Sequence, residues 1–393
     1  MATAQTAQRL SPWLDRLTMA GLAVSAGAIH FSIVVGESAL WFTLAAWVAS
    51  LLVNRERPDV PPWFWPLLAY VGVSLVATAF SLDRVRSLGP LKQMLLYLVV
   101  PAACSIARGR RAHTLMTVII TVGAVSAIVG VIEYGVLHYD SLGQRPRGTL
   151  GHYMTYSGLL MIVICATAAR LLYGRRDWIW PALVMPALVV ALALTFTRSA
   201  WVGACVGVGL LLLLRDLRLF AVLPVAAALF FAVAPAAITD RAYSMFNLHD
   251  PTNRDRLAMF QAGTEIVRRY PLTGVGPSVV PEVYPTFRTA AAVDQTPPHL
   301  HNVPLQIAAE RGLPALAVWC WFVGAAALGL WRKFRHGRAR YLAAAGLGAL
   351  AAMLAAGFFE YNFGDSEFLL TLLIMLTLPW AATRDTSAPV SVP

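Results

Sequence analysis

The chain has 393 residues, of which 58% are hydrophobic and only 13% are charged. This composition excludes a water-soluble protein built around one ordinary core and is typical of a polytopic membrane protein. The formal net charge of +11 is explained by Lys and Arg in the connections on one side of a membrane. We therefore predict the lipid bilayer as a partner and no nucleic acid.

Apolar segments long enough to cross a bilayer as helices recur along almost the whole chain. We count about twelve with a window of roughly 17 to 25 residues, although a few are shorter. The predicted fold class is therefore an all-α polytopic membrane protein. In chain order, the predicted spans are residues 17–36, 38–53, 62–80, 91–107, 114–138, 153–172, 178–196, 199–214, 219–238, 313–331, 341–359 and 367–382.

The distribution of Lys and Arg between these spans predicts their orientation. Basic residues occupy every second connection, and such connections remain on the cytoplasmic side of a membrane. The pattern places both termini in the cytoplasm. The residues concerned are Arg55 and Arg57, then Arg108, Arg110 and Arg111, then Arg175 and Arg176, then Arg215 and Arg218, and finally residues 331–341.

One connection on the opposite side, residues 239–312, is much longer than the others. The predicted organisation is therefore a first group of nine spans in residues 1–238, a helical lobe outside the membrane in 239–312, and three further spans with a short tail in 313–393. Arginine is frequent in the outward connections, which opposes the usual insertion bias. Binding of lipid headgroups or pairing with nearby acids explains some of these arginines, and an anionic substrate explains the whole set better.

Within the long connection, residues 253–276 predict an amphipathic helix that ends at a Pro-Gly turn. Asn253 is the predicted N-cap. Arg254 and Arg256 fall in the predicted first turn, which indicates an anion held jointly by arginines and free backbone N–H groups. A surface helix without a ligand is the alternative. The predicted apolar face consists of Leu257, Phe260, Thr264 and Val267.

Two histidines, His299 and His301, lie just before the next span. A spacing of two in an irregular segment points the rings in opposite directions, and no Cys or second His pair completes a zinc set, so we predict no metal site. Asp365 and Glu367 resemble a divalent-metal pair only faintly. A neutral imidazole can accept a proton, and arginines can bind a diphosphate. Together they suit transfer of a group from a diphosphate to a hydroxyl.

Three stretches resemble the signature of the O-antigen ligase and polymerase superfamily: TFTRSAW (195–201), NRDRLAMFQAG with YPLTGVG (253–276), and HNVPLQIAAERG (301–312). The last stretch is the most specific. Less sharply, RGTLGHYMTYSG (147–158) and FFEYNFGDSE (358–367) resemble the flanking motifs of that family. The similarity covers roughly residues 145–370.

The resemblance implies a glycosyltransferase of the GT-C type in the inner membrane of a Gram-negative bacterium, inverting and metal-independent, without a cofactor and with a periplasmic active site. The implied donor is an undecaprenyl-diphosphate-linked O-antigen, and the implied acceptor is a sugar hydroxyl of lipid A-core, so that transfer completes lipopolysaccharide. By position, the family's essential histidine falls on His301. Its essential arginines fall on Arg198 and on Arg256 or Arg254, a choice that the sequence RDR leaves open.

Further predicted substrate-binding residues lie around these positions. Arg145, Arg147 and His152 occupy a different outward connection, where binding of donor or core phosphates competes with a simple role as interface anchors. The others are His299, Asn302, Arg268 and Arg269.

Several activities stay open at this point. An O-antigen polymerase and a protein O-oligosaccharyltransferase share these motifs, and the single long loop favours the ligase. A polysaccharide-lipid flippase would also have about twelve spans, but it should show ionisable residues deep within spans and an internal repeat. Neither is evident, apart from His30 in the first span.

Overall fold

The computed structural model describes residues 2–384 except 56, 175–177, 248, 291 and 338, with side chains from residue 13 onward. Within these residues the chain is all-helical, which confirms the predicted class. Arg175, Arg176 and the predicted tail after Arg384 lie outside the described residues. The α-helices are α1 Ala2–Ala28, α2 Ile33–Asn54, α3 Phe64–Ala79, α4 Arg84–Leu88, α5 Leu91–Met94, α6 Val99–Ile106, α7 Arg110–Gly135, α8 Tyr153–Tyr173, α9 Ile179–Leu194, α10 Arg198–Arg215, α11 Val222–Val233, α12 Ala236–Tyr243, α13 Pro251–Arg269, α14 Val280–Phe287, α15 Val303–His336, α16 Arg340–Gly357 and α17 Ser366–Ala381.

Each predicted span overlaps a helical stretch. Among the described residues, seven stretches are long and apolar enough to cross a membrane: α2, the run Arg84–Ile106, α7, α8, α10, α15 and α16. Shorter apolar stretches are α3, α9, the run Leu217–Val233 and α17. The number of twelve crossings stays a prediction.

The centre of the bundle is formed by α8, α16 and α17. Most residues of α8 are buried, and α17 is buried continuously from Phe368 to Leu378. Helix α10 packs closely against α8 and α16, because a Cβ at Gly203 would overlap Met161 on α8, and one at Gly207 would overlap Cys165. Small residues allow such close helix contacts in membrane bundles. This packing fixes the beginning of α10 beside the beginning of α8.

The lobe between α11 and α15 has a small apolar core of its own. Its members include Ile266, Val280, Tyr284 and Leu300, together with Ala309 from the first part of α15. Because these side chains come from α13, α14 and α15, the lobe is attached to the bundle through α15.

Helix α13 corrects the predicted N-cap. It begins at Pro251, because the Asp250 carboxylate accepts hydrogen bonds from the first free N–H groups; Asn253 is therefore not the N-cap. Its buried side consists of small and flexible residues that allow close packing on α15. Leu257 and Phe260 of the predicted apolar face are 59% and 53% exposed, so this face lies outside the protein core, and its contact with the membrane surface stays a prediction. The buried residues are Ala258, Met259, Ala262, Gly263 and Ile266.

The sequence YPLTGVG is a turn, as predicted, and it lies against a kink in α15. Gly274 and Gly312 both have positive φ values, of 66° and 81°. A Cβ on Gly274 would overlap the backbone of Glu310, and a Cβ on Gly312 would overlap that of Leu272. Only glycine allows this backbone contact. The kink separates the part of α15 that belongs to the lobe from the part that belongs to the bundle.

This topology brings the N-termini of α8, α10 and α15 and the turn between α16 and α17 to one end of the bundle, which we call the site end. Basic residues lie at the opposite end, including Arg215, Lys333, Arg335 and Arg340. Which end faces the periplasm stays a prediction.

Candidate active site

A buried carboxylate orients His301 at the site end. Glu360 lies in the turn between α16 and α17 and is 7% exposed. Its Oε2 is 2.9 Å from Nδ1 of His301, and its Oε1 is 3.6 Å from Nε2 of His299. The two imidazole rings meet with their centroids 4.2 Å apart. The prediction that the rings point in opposite directions is wrong, because His301 has a left-handed φ of 48° that turns the chain between them.

The residues after His301 hold it in place. Asn302 caps α15 through a hydrogen bond from Leu305 N–H to its Oδ1 of 2.9 Å, and its Nδ2 donates to the Phe358 carbonyl oxygen at 3.1 Å. The predicted substrate-binding residue Asn302 thus joins α15 to the turn that carries Glu360. It positions the two members of the His301–Glu360 pair relative to each other.

A second set of contacts is formed by Gln306 and Glu310, which follow the histidines in α15. Gln306 accepts a hydrogen bond from Leu300 N–H at 2.7 Å and donates to Glu310 at 2.8 Å. Glu310 also forms a buried ion pair of 2.6 Å with Arg311 and accepts from Ser278 N–H at 2.8 Å. The motif HNVPLQIAAERG is therefore mainly a scaffold that fixes the backbone around His301.

Two pKa shifts determine the charges of Glu360 and His299. Burial raises the pKa of Glu360, but the hydrogen bonds from His301 and from Tyr361 N–H, together with electrostatic attraction to the two imidazoles, outweigh this effect and lower the pKa to about 2. Glu360 is therefore an anion at neutral pH. Burial lowers the pKa of His299 to about 4, so that this imidazole is neutral.

Arg256 lies near enough to this pair for its charge to interact with that of Glu360. Its Nε is buried and has no hydrogen-bond partner among the described residues. Burial lowers its pKa, and the charge of Glu360 acts in the opposite direction. A partly buried guanidinium with an unpartnered Nε–H group is suited to bind an anion. Arg254 is exposed instead, so the geometry favours Arg256 of the two.

Arg145 and His152 also approach the site. The Arg145 guanidinium lies 4.4 Å from the centroid of the Tyr153 ring, and the charges of Arg145, Glu360 and His301 all act on His152. His152 caps α8 by accepting a hydrogen bond from Met154 N–H at 3.3 Å. The connection before α8 therefore contributes to the same site as α13 and α15.

Arg198, the first residue of α10, binds the beginning of α13. It donates to Asp250 at 3.3 Å and to Asn253 at 3.0 Å, and its other terminal nitrogen donates to Ser244 at 2.9 Å. The side chains of Arg198 and Asp250 are only 4% and 14% exposed. Partial burial raises the pKa of Asp250, but the charges of Arg198 and Arg241 and the hydrogen bonds at the beginning of α13 together outweigh it and lower the pKa overall. Arg198 thereby fixes the lobe to the bundle.

These contacts also correct the predicted anion site at the beginning of α13. Asp250 already accepts the N–H groups of Thr252 and Asn253, at 3.0 and 3.3 Å. Because the helix begins at Pro251, Arg256 lies in its second turn. Any anion there is bound by side chains and not by the helix terminus.

Three predicted arginines lie apart from His301. Arg268 pairs with Glu265 at 3.5 Å on the exposed face of α13. The Arg269 guanidinium lies 6.0 Å from the centroid of the Phe287 ring. Both residues are about 18 Å along the helix from Arg256, given a rise of about 1.5 Å per residue. Arg147 is exposed and packs over a tyrosine ring.

Sequence reasoning missed Glu360 and Arg241. Arg241 on α12 is 3.8 Å from Asp250, and burial together with the charges of Arg198 and Arg145 lowers its pKa to about 10. Glu360 stands in the flanking motif FFEYNFGDSE, in which the sequence pattern points only to Asp365 and Glu367, as a faint metal pair. An acid at the end of an apolar span was the available signal.

The sequence around these residues also matches a known family. Residues 183–320 match the family model described as O-antigen ligase. Over these residues, about a third of the chain, the sequence is similar to the O-antigen ligase family. The resemblance inferred from the motifs is thereby confirmed. The matched range includes Arg198, Arg256 and His301, whereas Arg145 and Glu360 lie outside it. No curated protein matches the chain.

The match to this family indicates a coarse function. Its members are glycosyltransferase-like enzymes with polysaccharide-lipid substrates in a membrane context. Together with the apolar helices, the family indicates a multi-pass inner-membrane protein.

Proposed function

We propose that this protein is an O-antigen ligase that transfers the polysaccharide from undecaprenyl diphosphate to a sugar hydroxyl of lipid A-core. The observation that carries the proposal is the hydrogen bond between His301 and the buried carboxylate of Glu360 beside the guanidinium of Arg256. A proton acceptor and an anion site next to each other suit inverting transfer from a diphosphate.

His301 is the proposed proton acceptor. Because Nδ1 carries the hydrogen that points to Glu360, Nε2 carries the lone pair. The acceptor hydroxyl oxygen attacks the anomeric carbon, the bond from that carbon to the diphosphate oxygen breaks, and its electron pair leaves with the diphosphate. The hydroxyl proton passes to Nε2. A sugar hydroxyl is much less acidic than imidazolium, so proton transfer comes late, as the leaving bond lengthens.

Glu360 is the proposed positioning residue for His301. Its charge stabilises the imidazolium that forms, in the way that the buried aspartate of a serine-protease triad supports its histidine. Since Glu360 is ionised and nearly buried, this interaction is weakly screened by solvent.

Arg256 and Arg145 are the proposed ligands of the departing diphosphate. Guanidinium groups bind phosphate oxygens with paired, charge-assisted hydrogen bonds. Their fixed charge stabilises the leaving group, so the proposed reaction is metal-independent. Arg198 is proposed to act through Asp250, which holds the beginning of α13 and therefore Arg256 in place.

We propose that the site end faces the periplasm and that both lipids reach it from the bilayer. Helix α11 buries none of its residues and leads directly into α12, which carries Arg241. An apolar prenyl chain lying along α11 would bring its diphosphate toward the arginines.

A transfer assay with defined substrates tests the proposal. The purified protein is incubated with undecaprenyl-diphosphate-linked glycan and lipid A-core, with and without EDTA, and the products are separated by mass. We expect glycan on lipid A-core in both conditions. Longer glycans that remain on the donor lipid would identify a polymerase instead. A folded protein that forms neither product would favour transport of the donor.

A further inference from the structure

His299, His301 and Glu360 place two imidazole nitrogens and a carboxylate around one small space. Among the described residues, these donor atoms lie within 4.8 Å of one another. Oε2 of Glu360 is 2.9 Å from Nδ1 of His301, and Oε1 is 3.6 Å from Nε2 of His299. In tetrahedral zinc sites, bonds of about 2.0 to 2.1 Å separate the donor atoms by about 3.3 Å. The two observed nitrogen–oxygen distances, one to each carboxylate oxygen of Glu360, lie on either side of that value.

The backbone makes this arrangement specific. The left-handed conformation of His301, with φ 48°, directs its ring to the same carboxylate as His299. Glu360 reaches both rings from a separate turn, which Asn302 fixes to α15 through the Phe358 carbonyl oxygen. Three donors supported by the surrounding fold need little rearrangement to accept a cation.

We propose that His299, His301 and Glu360 form an inhibitory binding site for Zn²⁺ or a similar borderline divalent cation. Two imidazoles with one carboxylate suit zinc, cobalt or nickel, whereas magnesium and calcium select oxygen donors. The side chains of His299 and His301 are 24% and 16% exposed, so a cation can reach them and a water molecule can complete the tetrahedron.

Two features limit the affinity. When Nε2 of His299 binds zinc, its Nδ1 carries the ring hydrogen. Nδ1 then no longer accepts the long hydrogen bond of 3.4 Å from His301 N–H. The guanidinium of Arg256 acts on the same carboxylate and repels a cation. The site is therefore expected to bind zinc reversibly and more weakly than a structural zinc site.

The consequence for catalysis rests on the proposed function. A cation on Nδ1 of His301 replaces the hydrogen bond to Glu360 and leaves the ring hydrogen on Nε2. That nitrogen then has no lone pair for the acceptor proton. Bound zinc should therefore stop transfer, although transfer itself requires no metal.

Direct binding tests the site without reference to activity. The full-length protein, purified in detergent with a tag that contains no histidine, is titrated with Co²⁺, and the visible absorption of the tetrahedral complex is followed while Zn²⁺ competes. His299→Ala and Glu360→Gln are compared with His138→Ala, which removes an exposed histidine from another connection. Thermal unfolding of each variant verifies its fold.

We expect one cation per chain in the wild type and in His138→Ala, and an affinity at least about tenfold lower in His299→Ala and Glu360→Gln. Equal affinity in all four proteins, or no tetrahedral cobalt spectrum in the wild type, would overturn the site. The transfer assay is then repeated at saturating Zn²⁺. Loss of transfer supports inhibition, while full transfer with zinc bound would overturn the proposed role of His301 and leave the binding site standing.

Discussion

Glu360→Gln separates the positioning role of the carboxylate from mere packing. Glutamine has nearly the same shape and can still accept a hydrogen bond from Nδ1 of His301, which is 2.9 Å away in the wild type. What it loses is the negative charge opposite the imidazolium that forms during transfer. Charge-assisted hydrogen bonds contribute about 1.5 to 3 kcal/mol, and neutral ones contribute about 1 kcal/mol.

The difference of about 0.5 to 2 kcal/mol corresponds to a decrease in kcat of about 2- to 30-fold. KM should change little, because Glu360 contacts His301 and not the substrate. Glu360→Asp keeps the charge and should recover part of the rate. Glu367→Gln removes an acid from the first turn of α17 and is the matched control.

Initial rates over a range of acceptor concentrations provide the assay. Glu360 would have no charge-dependent positioning role if Glu360→Gln retained the wild-type kcat. The same conclusion would follow if its rate fell only in proportion to a loss of folded protein measured by thermal unfolding. A larger KM with unchanged kcat would instead place Glu360 in acceptor binding.

Three further predictions concern the arginines and a buried acid. Arg256→Ala should lower kcat/KM by about 10² to 10³, whereas Arg254→Ala should leave it close to the wild-type value; equal losses in the two variants would contradict the diphosphate site. Asp250→Ala breaks a buried ion pair with Arg198 and should lower the free energy of unfolding by about 2 to 4 kcal/mol, measured by denaturant titration in detergent; the double variant with Arg198→Ala should lose less than the sum of the single changes. Burial raises the pKa of Asp365 to about 8, with the charges of Glu360 and Glu367 adding to the effect, so the native state holds a proton that the unfolded state releases above about pH 4. Stability should therefore fall as the pH rises from about 4 to 8, and Asp365→Asn should reduce this fall in thermal unfolding; an identical pH profile for the variant would contradict the assignment.

The sequence was sufficient for the class of fold, and its motifs predicted candidate site residues that the structure places near one another. Apolar segments predict helices in a membrane because their length is set by the bilayer. Motif positions predicted that His301, Arg198 and Arg256 belong together, and the structure brings them to one end of the bundle. The choice between Arg254 and Arg256 required the helix, since only one of the two faces inward.

Other features depend on contacts that the local sequence does not specify. Glu360 is 59 residues from its partner His301, and their meeting depends on the packing of α15, α16 and α17. The direction of the two imidazole rings follows from one backbone angle. The observed beginning of α13 differs from the predicted one because Asp250, and not Asn253, is the N-cap. Asp and Asn are both good N-caps, so the local sequence does not decide between them.

Arg198 shows a different kind of limit. Its position in a family motif predicted a direct role at the diphosphate, and this role stays a prediction. The structure adds contacts with Asp250 and Asn253 that connect α10 to α13. Arg198 therefore affects the position of Arg256 whether or not it also contacts the substrate.

The single-turnover rate of glycan transfer to lipid A-core by the wild type, His301→Ala and His301→Gln tests most directly whether His301 accepts the proton. Glutamine can hydrogen-bond to Glu360 but cannot accept a proton. If His301 is the proton acceptor, both variants should bind donor and acceptor normally and lose transfer to a similar extent. Near-normal transfer by His301→Gln would show that His301 is not the proton acceptor and only positions the acceptor.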